Sequence, residues 1–186
     1  MKYLIAAAFG ASALAAPAHA FDGVTFRVEA HGGYDRIAVG GGGENGAMYG
    51  IALGVDVPIG STAFIGFEGG ADLSSIKDCV SNFAVFGDRY CQKAKRDLSA
   101  VARLGADVGG GFKLYLLGGY SNARIAETYT GPLALSGAAN GDGYRVGAGT
   151  EVRIGKSAYT KLEYRYSNYE SGYSRHQVVA GIGLGL

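Results

Sequence analysis

The sequence predicts an all-β fold: an eight-stranded antiparallel up-and-down β-barrel that crosses a membrane. Three observations predict it. Apolar and polar residues alternate with a period of two through eight segments, each ten to twelve residues long. Globular strands usually run about five or six residues, whereas a tilted strand needs roughly nine to eleven to cross a bilayer. The connections between segments alternate between long and short, as in barrels with outer loops and inner turns. Tyr34, Tyr49, Tyr120, Tyr144 and Tyr166 fall on the apolar face at the long-loop ends, where an interfacial aromatic girdle belongs.

Composition removes the competing classes. With 48% hydrophobic residues in 186 the chain has apolar surface enough to fold, so disorder is excluded, and its 33 glycines follow no three-residue period, which excludes collagen. No 18-residue apolar run follows residue 20, so a membrane-spanning helix is not expected there.

The first 20 residues carry Lys2, an apolar stretch and the ending Ala18-His19-Ala20, the pattern of a secretory signal cut before Phe21. Residues 21–186 are then the barrel domain. Without Lys2 the remaining chain holds 16 basic and 16 acidic residues, a balance that gives no footprint for nucleic acid.

The eight segments run 24–35, 47–57, 62–73, 97–108, 112–122, 143–154, 158–168 and 175–186. One face of each is free of Asp, Glu, Lys and Arg; in the second it reads Ala47, Tyr49, Ile51, Leu53, Val55, Val57. The opposite face collects Arg27, Glu29, Asp56, Glu68, Asp72, Asp97, Arg103, Asp107, Lys113, Arg145, Glu151, Arg153, Lys161, Glu163, Arg165 and Arg175, eight bases and eight acids. Long loops are expected over 36–46, 74–96, 123–142 and 169–174, and tight turns over 58–61, 109–111 and 155–157.

In an exported chain the pair Cys79 and Cys91 reads as a disulfide closing a 13-residue loop, an entropic constraint of about 3 kcal/mol. No second pair or nearby His completes a zinc site, so no metal is expected. The loop between them carries Phe83 and Phe86, followed by Arg89 and Tyr90, a candidate surface-contact patch whose cross-link lowers the entropy lost on docking.

The strand Phe26-Arg27-Val28-Glu29-Ala30-His31-Gly32-Gly33-Tyr34, the strand Lys161-Leu162-Glu163-Tyr164-Arg165-Tyr166 and the terminal strand from Val178 resemble the small outer-membrane β-barrel family of opacity-type surface antigens and the OmpA membrane domain. The resemblance implies the outer membrane of a Gram-negative bacterium, contact with its lipid and lipopolysaccharide, and a structural or surface-interaction role with an envelope protein or surface ligand as partner. It also implies delivery by the barrel-insertion machinery through the last strand, although Leu186 stands where the family usually has an aromatic residue.

Eight strands enclose an interior just wide enough for side chains. Buried charges are tolerable only when paired, so Arg27, Glu29, Glu68, Asp72, Arg103, Asp107, Arg145, Glu151, Arg153, Lys161, Glu163 and Arg165 are expected to form an ion-paired plug. The rival readings are a narrow channel and a lipid-modifying enzyme. For the enzyme, His31 faces the lumen, and His176 with Ser174 is read as standing on neighbouring faces of one strand, out of hydrogen-bond reach. No catalytic residue is therefore assigned. Gly41–Gly46 matches G-x-G-x-x-G formally, but a strand pattern follows instead of a helix, so no cofactor is expected.

Overall fold

The computed structural model describes residues 23–186, which leaves the expected signal segment outside the described residues. Nine strands alternate along the chain: β1 (Thr25–Val39), β2 (Gly42–Ile59), β3 (Ala63–Ser74), β4 (Lys77–Ser81), β5 (Arg89–Gly109), β6 (Phe112–Thr130), β7 (Leu135–Ile154), β8 (Ala158–Tyr169) and β9 (Tyr173–Gly185). Strands consecutive in sequence pair antiparallel except β3 and β4, which both pair with β5, and β9 pairs back onto β1. At the level of β3 and β8 the sheet is therefore closed and has no edge, the condition lipid imposes on a backbone that finds no hydrogen bonds in hydrocarbon. Reciprocal backbone bonds between Phe26 and Leu186, 3.0 and 2.8 Å, clamp the two chain ends together.

The ninth strand arises from an interruption. β3 breaks at Ser75–Ile76 and resumes as β4 along the same partner, so the barrel has eight staves. Side chains replace the lost ladder there: Ser75 Oγ accepts the Ala47 N–H at 2.8 Å, and Ser74 Oγ accepts the Ile76 N–H at 3.3 Å.

The alternation sorts as the sequence predicts, with the apolar set outward. Leu116, Ile51 and Phe67 are each more than 60% exposed, while Arg103 and Arg145 inside are about 1% exposed. Tyr34, Tyr49, Tyr120 and Tyr144 point outward, and Tyr166 packs against Tyr144 and His176 with ring centroids 6.3 and 5.1 Å apart.

The long loops differ from expectation. Most of 36–46, 74–96 and 123–142 is paired strand, with β1 and β2 joined by only Gly40-Gly41 and β6 and β7 by residues 131–134. Above the lipid the outer faces no longer need to be apolar, so the hydrophobic alternation fades while backbone pairing continues. The 20-residue β7, rising about 3.3 Å per residue, is about twice the length a bilayer crossing requires. The interior admits its side chains partly through glycine: a Cβ on Gly50 would collide with the Asp72 carboxylate, and one on Gly149 with the Tyr115 ring.

Candidate functional site

Inward-facing positions build three storeys. In the lowest, Arg27 of β1 meets Asp56 and Glu68 at 3.1 Å and Glu151 at 3.5 Å, and Arg103 of β5 meets Glu151 at 2.5 Å and Glu68 at 3.5 Å. The Arg103 guanidinium lies 3.9 Å from the Tyr115 ring centroid, an attraction between cation and aromatic face that strengthens with desolvation.

In the middle storey Lys161 contacts Glu29 at 2.6 Å, and Arg165 bridges Glu163 and Asp72. The Tyr115 hydroxyl donates to Glu163 at 2.6 Å. His31 places Nδ1 2.8 Å from Glu29 and Nε2 2.7 Å from Asp72. Ionised carboxylates only accept, so with both ionised the ring donates from both nitrogens as an imidazolium. In the upper ionic storey Arg175 grips Asp35 through two nitrogens, at 2.7 and 2.5 Å, and reaches Asp97 at 2.7 Å. Arg145 also meets Asp97, at 2.6 Å.

Of the twelve residues expected in this cluster the structure joins Arg27, Glu29, Glu68, Asp72, Arg103, Arg145, Glu151, Lys161, Glu163 and Arg165. Asp107 and Arg153 are corrections. Asp107 sits at the inner turn, where its carboxylate accepts the Gly109 N–H at 2.9 Å, and Arg153 is exposed beside that turn. Alternation gives the face of a residue but not its depth along the barrel. Asp35, His31, Asp56, Asp97 and Arg175 also belong to the cluster and lie outside the expected twelve, though all five stand on the charged faces of their segments. Phe64, Val101, Tyr115 and Leu117 also pack inside, so the lumen is not wholly ionic. Ser174 and His176 share the outward face, as a separation of two in a strand requires, and His176 Nδ1 pairs with the Tyr164 hydroxyl at 2.7 Å.

Above the ions the interior becomes apolar. Tyr169 and Tyr173 stack with centroids 4.6 Å apart, next to Ala123, Ile37 and Ile125, and Tyr173 gives the floor of an outward-opening cup of about 510 Å³. Ile76 and Ala94 complete the wall, and Glu44, Asp78 and Glu127 stand exposed along it.

The β4–β5 hairpin rises beside this cup. Cys79 and Cys91 face each other across its two strands and form a disulfide. At its tip the Asp88 carboxylate accepts N–H bonds from Phe83, Ala84 and Val85 at 2.6–2.9 Å, and the Tyr129 hydroxyl donates to it at 2.8 Å. The enclosing tip opposes ionisation of Asp88, but these donors override it and hold its carboxyl below the ordinary value; the same bond raises Tyr129. Phe83 stacks on Tyr90 at 4.8 Å, Arg89 is exposed, and Phe86 is 97% exposed.

A family model described as "Outer membrane protein beta-barrel domain" matches residues 4–185. The chain belongs to this family. It is an outer-membrane β-barrel of a Gram-negative bacterium, with its apolar belt in lipid. Among solved structures this family member is similar to Ail, the attachment invasion locus protein of Yersinia pestis, in a complex with the heparin analogue sucrose octasulfate. The TM-score is 0.64 and the identity 12%, over 89% of this chain and 100% of that one. It is also similar to Neisserial surface protein A (TM-score 0.58, 14% identity, 88% and 99% covered). The N-terminal barrel domain of OprF from Pseudomonas aeruginosa follows at TM-score 0.56 and 13% identity, with 87% and 97% covered. At these identities the likeness is one of fold. No curated protein matches the chain.

Proposed function

We propose that this barrel is a non-enzymatic surface-contact protein, closed in its middle by the ionic storeys and presenting the β4–β5 tip to a surface ligand or neighbouring envelope protein. The observation that carries the reading is Phe86, an aromatic side chain 97% exposed on a tip held by a disulfide and by the Asp88 carboxylate. A large apolar side chain raised on a preorganised support loses little entropy on docking. The ion-pair storeys support a closed lumen, since each permanent base meets at least one carboxylate within 4.0 Å.

The outward faces of the upper ribbons suit lipopolysaccharide. Arg36, Lys77, Lys93 and Arg124 alternate with the inward residues Ile37, Ile76, Ala94 and Ile125, which places their charges outside, beyond the tyrosine girdle and near lipid phosphates. Export by residues 1–20 and insertion through the terminal strand ending at Leu186 belong to the same reading.

Cells displaying the wild type, Phe86→Ala or a deletion of residues 80–90 are compared for adhesion, with insertion checked by gel mobility of boiled and unboiled protein. Adhesion is expected to fall for both variants. Unchanged adhesion with intact insertion overturns the contact role, and ion conductance by the wild type in a planar bilayer overturns the closed lumen.

A further inference from the structure

The outer cup is not used by the tip and has its own chemistry. Ile37, Ile76 and Ile125 give it an apolar wall, yet Glu44, Asp78 and Glu127 are spaced around that wall on three different ribbons. None of these three carboxylates takes part in an ion pair among the described residues; the side-chain bond at this level is from Gln92 to Glu127, at 3.1 Å. The basic residues of the same ribbons alternate outward, so nothing neutralises the interior acids from within.

A second observation lies at the floor. Tyr173 is 94% buried, and its hydroxyl, beside Gly141 in the cup wall, has no hydrogen-bond partner among the described residues. A buried hydroxyl left unpaired costs free energy that a ligand's polar group would recover. The acids and this hydroxyl are thus separate features of one concavity: the acids call for a positively charged group and the hydroxyl for a polar one, next to an apolar wall.

We propose that the cup binds a small amphipathic cation, an amine or guanidine carrying an aliphatic or aromatic body. The body seats against Ile37, Ile76 and Ile125. The cationic head is held by Glu44, Asp78 and Glu127, and the Tyr173 hydroxyl accepts a hydrogen bond from the ligand. The cup's volume of about 510 Å³ accommodates a molecule of that kind, and small-ligand sites are commonly of this size and apolar with a few polar anchors. The site stands on residues distinct from the contact tip, so it survives or fails independently of adhesion.

The test uses the intact protein in nanodiscs of zwitterionic lipid, with phenethylammonium as the probe and 2-phenylethanol and phenylacetate as neutral and anionic counterparts. Saturable binding is expected for phenethylammonium, with weaker binding of the alcohol and none of the acid. Replacing the three rim acids together (Glu44→Gln, Asp78→Asn, Glu127→Gln) is expected to weaken it by about fivefold, since three exposed, solvent-screened charge contacts are lost together. Because these side chains are exposed, the variant is expected to fold, and its unboiled gel mobility reports this. Methyl shifts of Ile76 and Ile125 on titration give a second readout that needs no variant. Non-saturable uptake, equal binding of all three probes, or unaltered binding by the folded triple variant would each mean partition into lipid or no site, and overturns the proposal.

Discussion

The lower and upper halves of this barrel follow opposite sorting rules. Within the lipid the outward face is Phe, Leu, Ile and Val, and the inward face is Arg, Asp and Glu. Above it, on the same strands β1, β5, β6 and β9, the inward positions turn to Ile37, Ala94, Ile125 and Tyr173, and the outward ones to Arg36, Lys93 and Arg124. Antiparallel pairing continues through both halves, with β3 interrupted and β5 shifted in register between them. What changes is the medium outside: hydrocarbon below, water and lipid head groups above. A side chain's face follows the solvent next to it, and the acid-lined cup is the exception to the aqueous rule in the upper half.

The comparison is broken most severely from the inside of the lower half. Arg103→Ala or Arg145→Ala leaves buried carboxylates without a partner, and unfolding in urea from lipid vesicles is expected to show a loss of about 3–5 kcal/mol. A loss near zero would mean that water enters the storey and screens it. On the outside of the same half, Leu116→Arg places a charge in hydrocarbon and is expected to cost about 2–4 kcal/mol in the same assay. The mirror change in the upper half, Lys93→Leu, is expected to stay within about 0.5 kcal/mol, because that position faces water. Equal effects at the two positions would erase the contrast.

Cys79→Ser with Cys91→Ser removes a loop constraint of about 3 kcal/mol, and the expected damage is local: faster amide exchange over 80–90 with unchanged exchange in the lower half. The smallest effect is that of pH on the tip. Asp88 has a lowered pKa in the folded tip, so its stabilisation is complete above the ordinary carboxylate value and is lost as pH falls through the lowered one. Exchange of the Phe83, Ala84 and Val85 amides is expected to quicken in that acid window for the wild type and to lose this step in Asp88→Asn.

How much was legible follows the same division. Lipid demands apolar residues at every second position, so the eight staves, their facing and ten lumen residues stood in the sequence as alternation. The upper ribbons obey no such demand. Ile37, Glu44, Ile76, Asp78, Ile125 and Glu127 all fell in stretches read as loops, so the cup had no sequence signal. Asp107 and Arg153 were misplaced because period-two patterning carries no height, and both lie where the lumen opens at the inner turns.

The interruption at Ser75–Ile76 has a neighbour. In β5 the register against β6 slips between Ala94 and Asp97, and Ala94 donates to the Ile76 carbonyl at 3.0 Å, so the two irregularities lie side by side at one height. Together they mark a break in the ladder across two adjacent staves. Everything above it on that hairpin is braced by the cystine, by the Asp88 knot and by six residue pairs between β5 and β6, so Phe86 stands on a support tied to the barrel wall along one side.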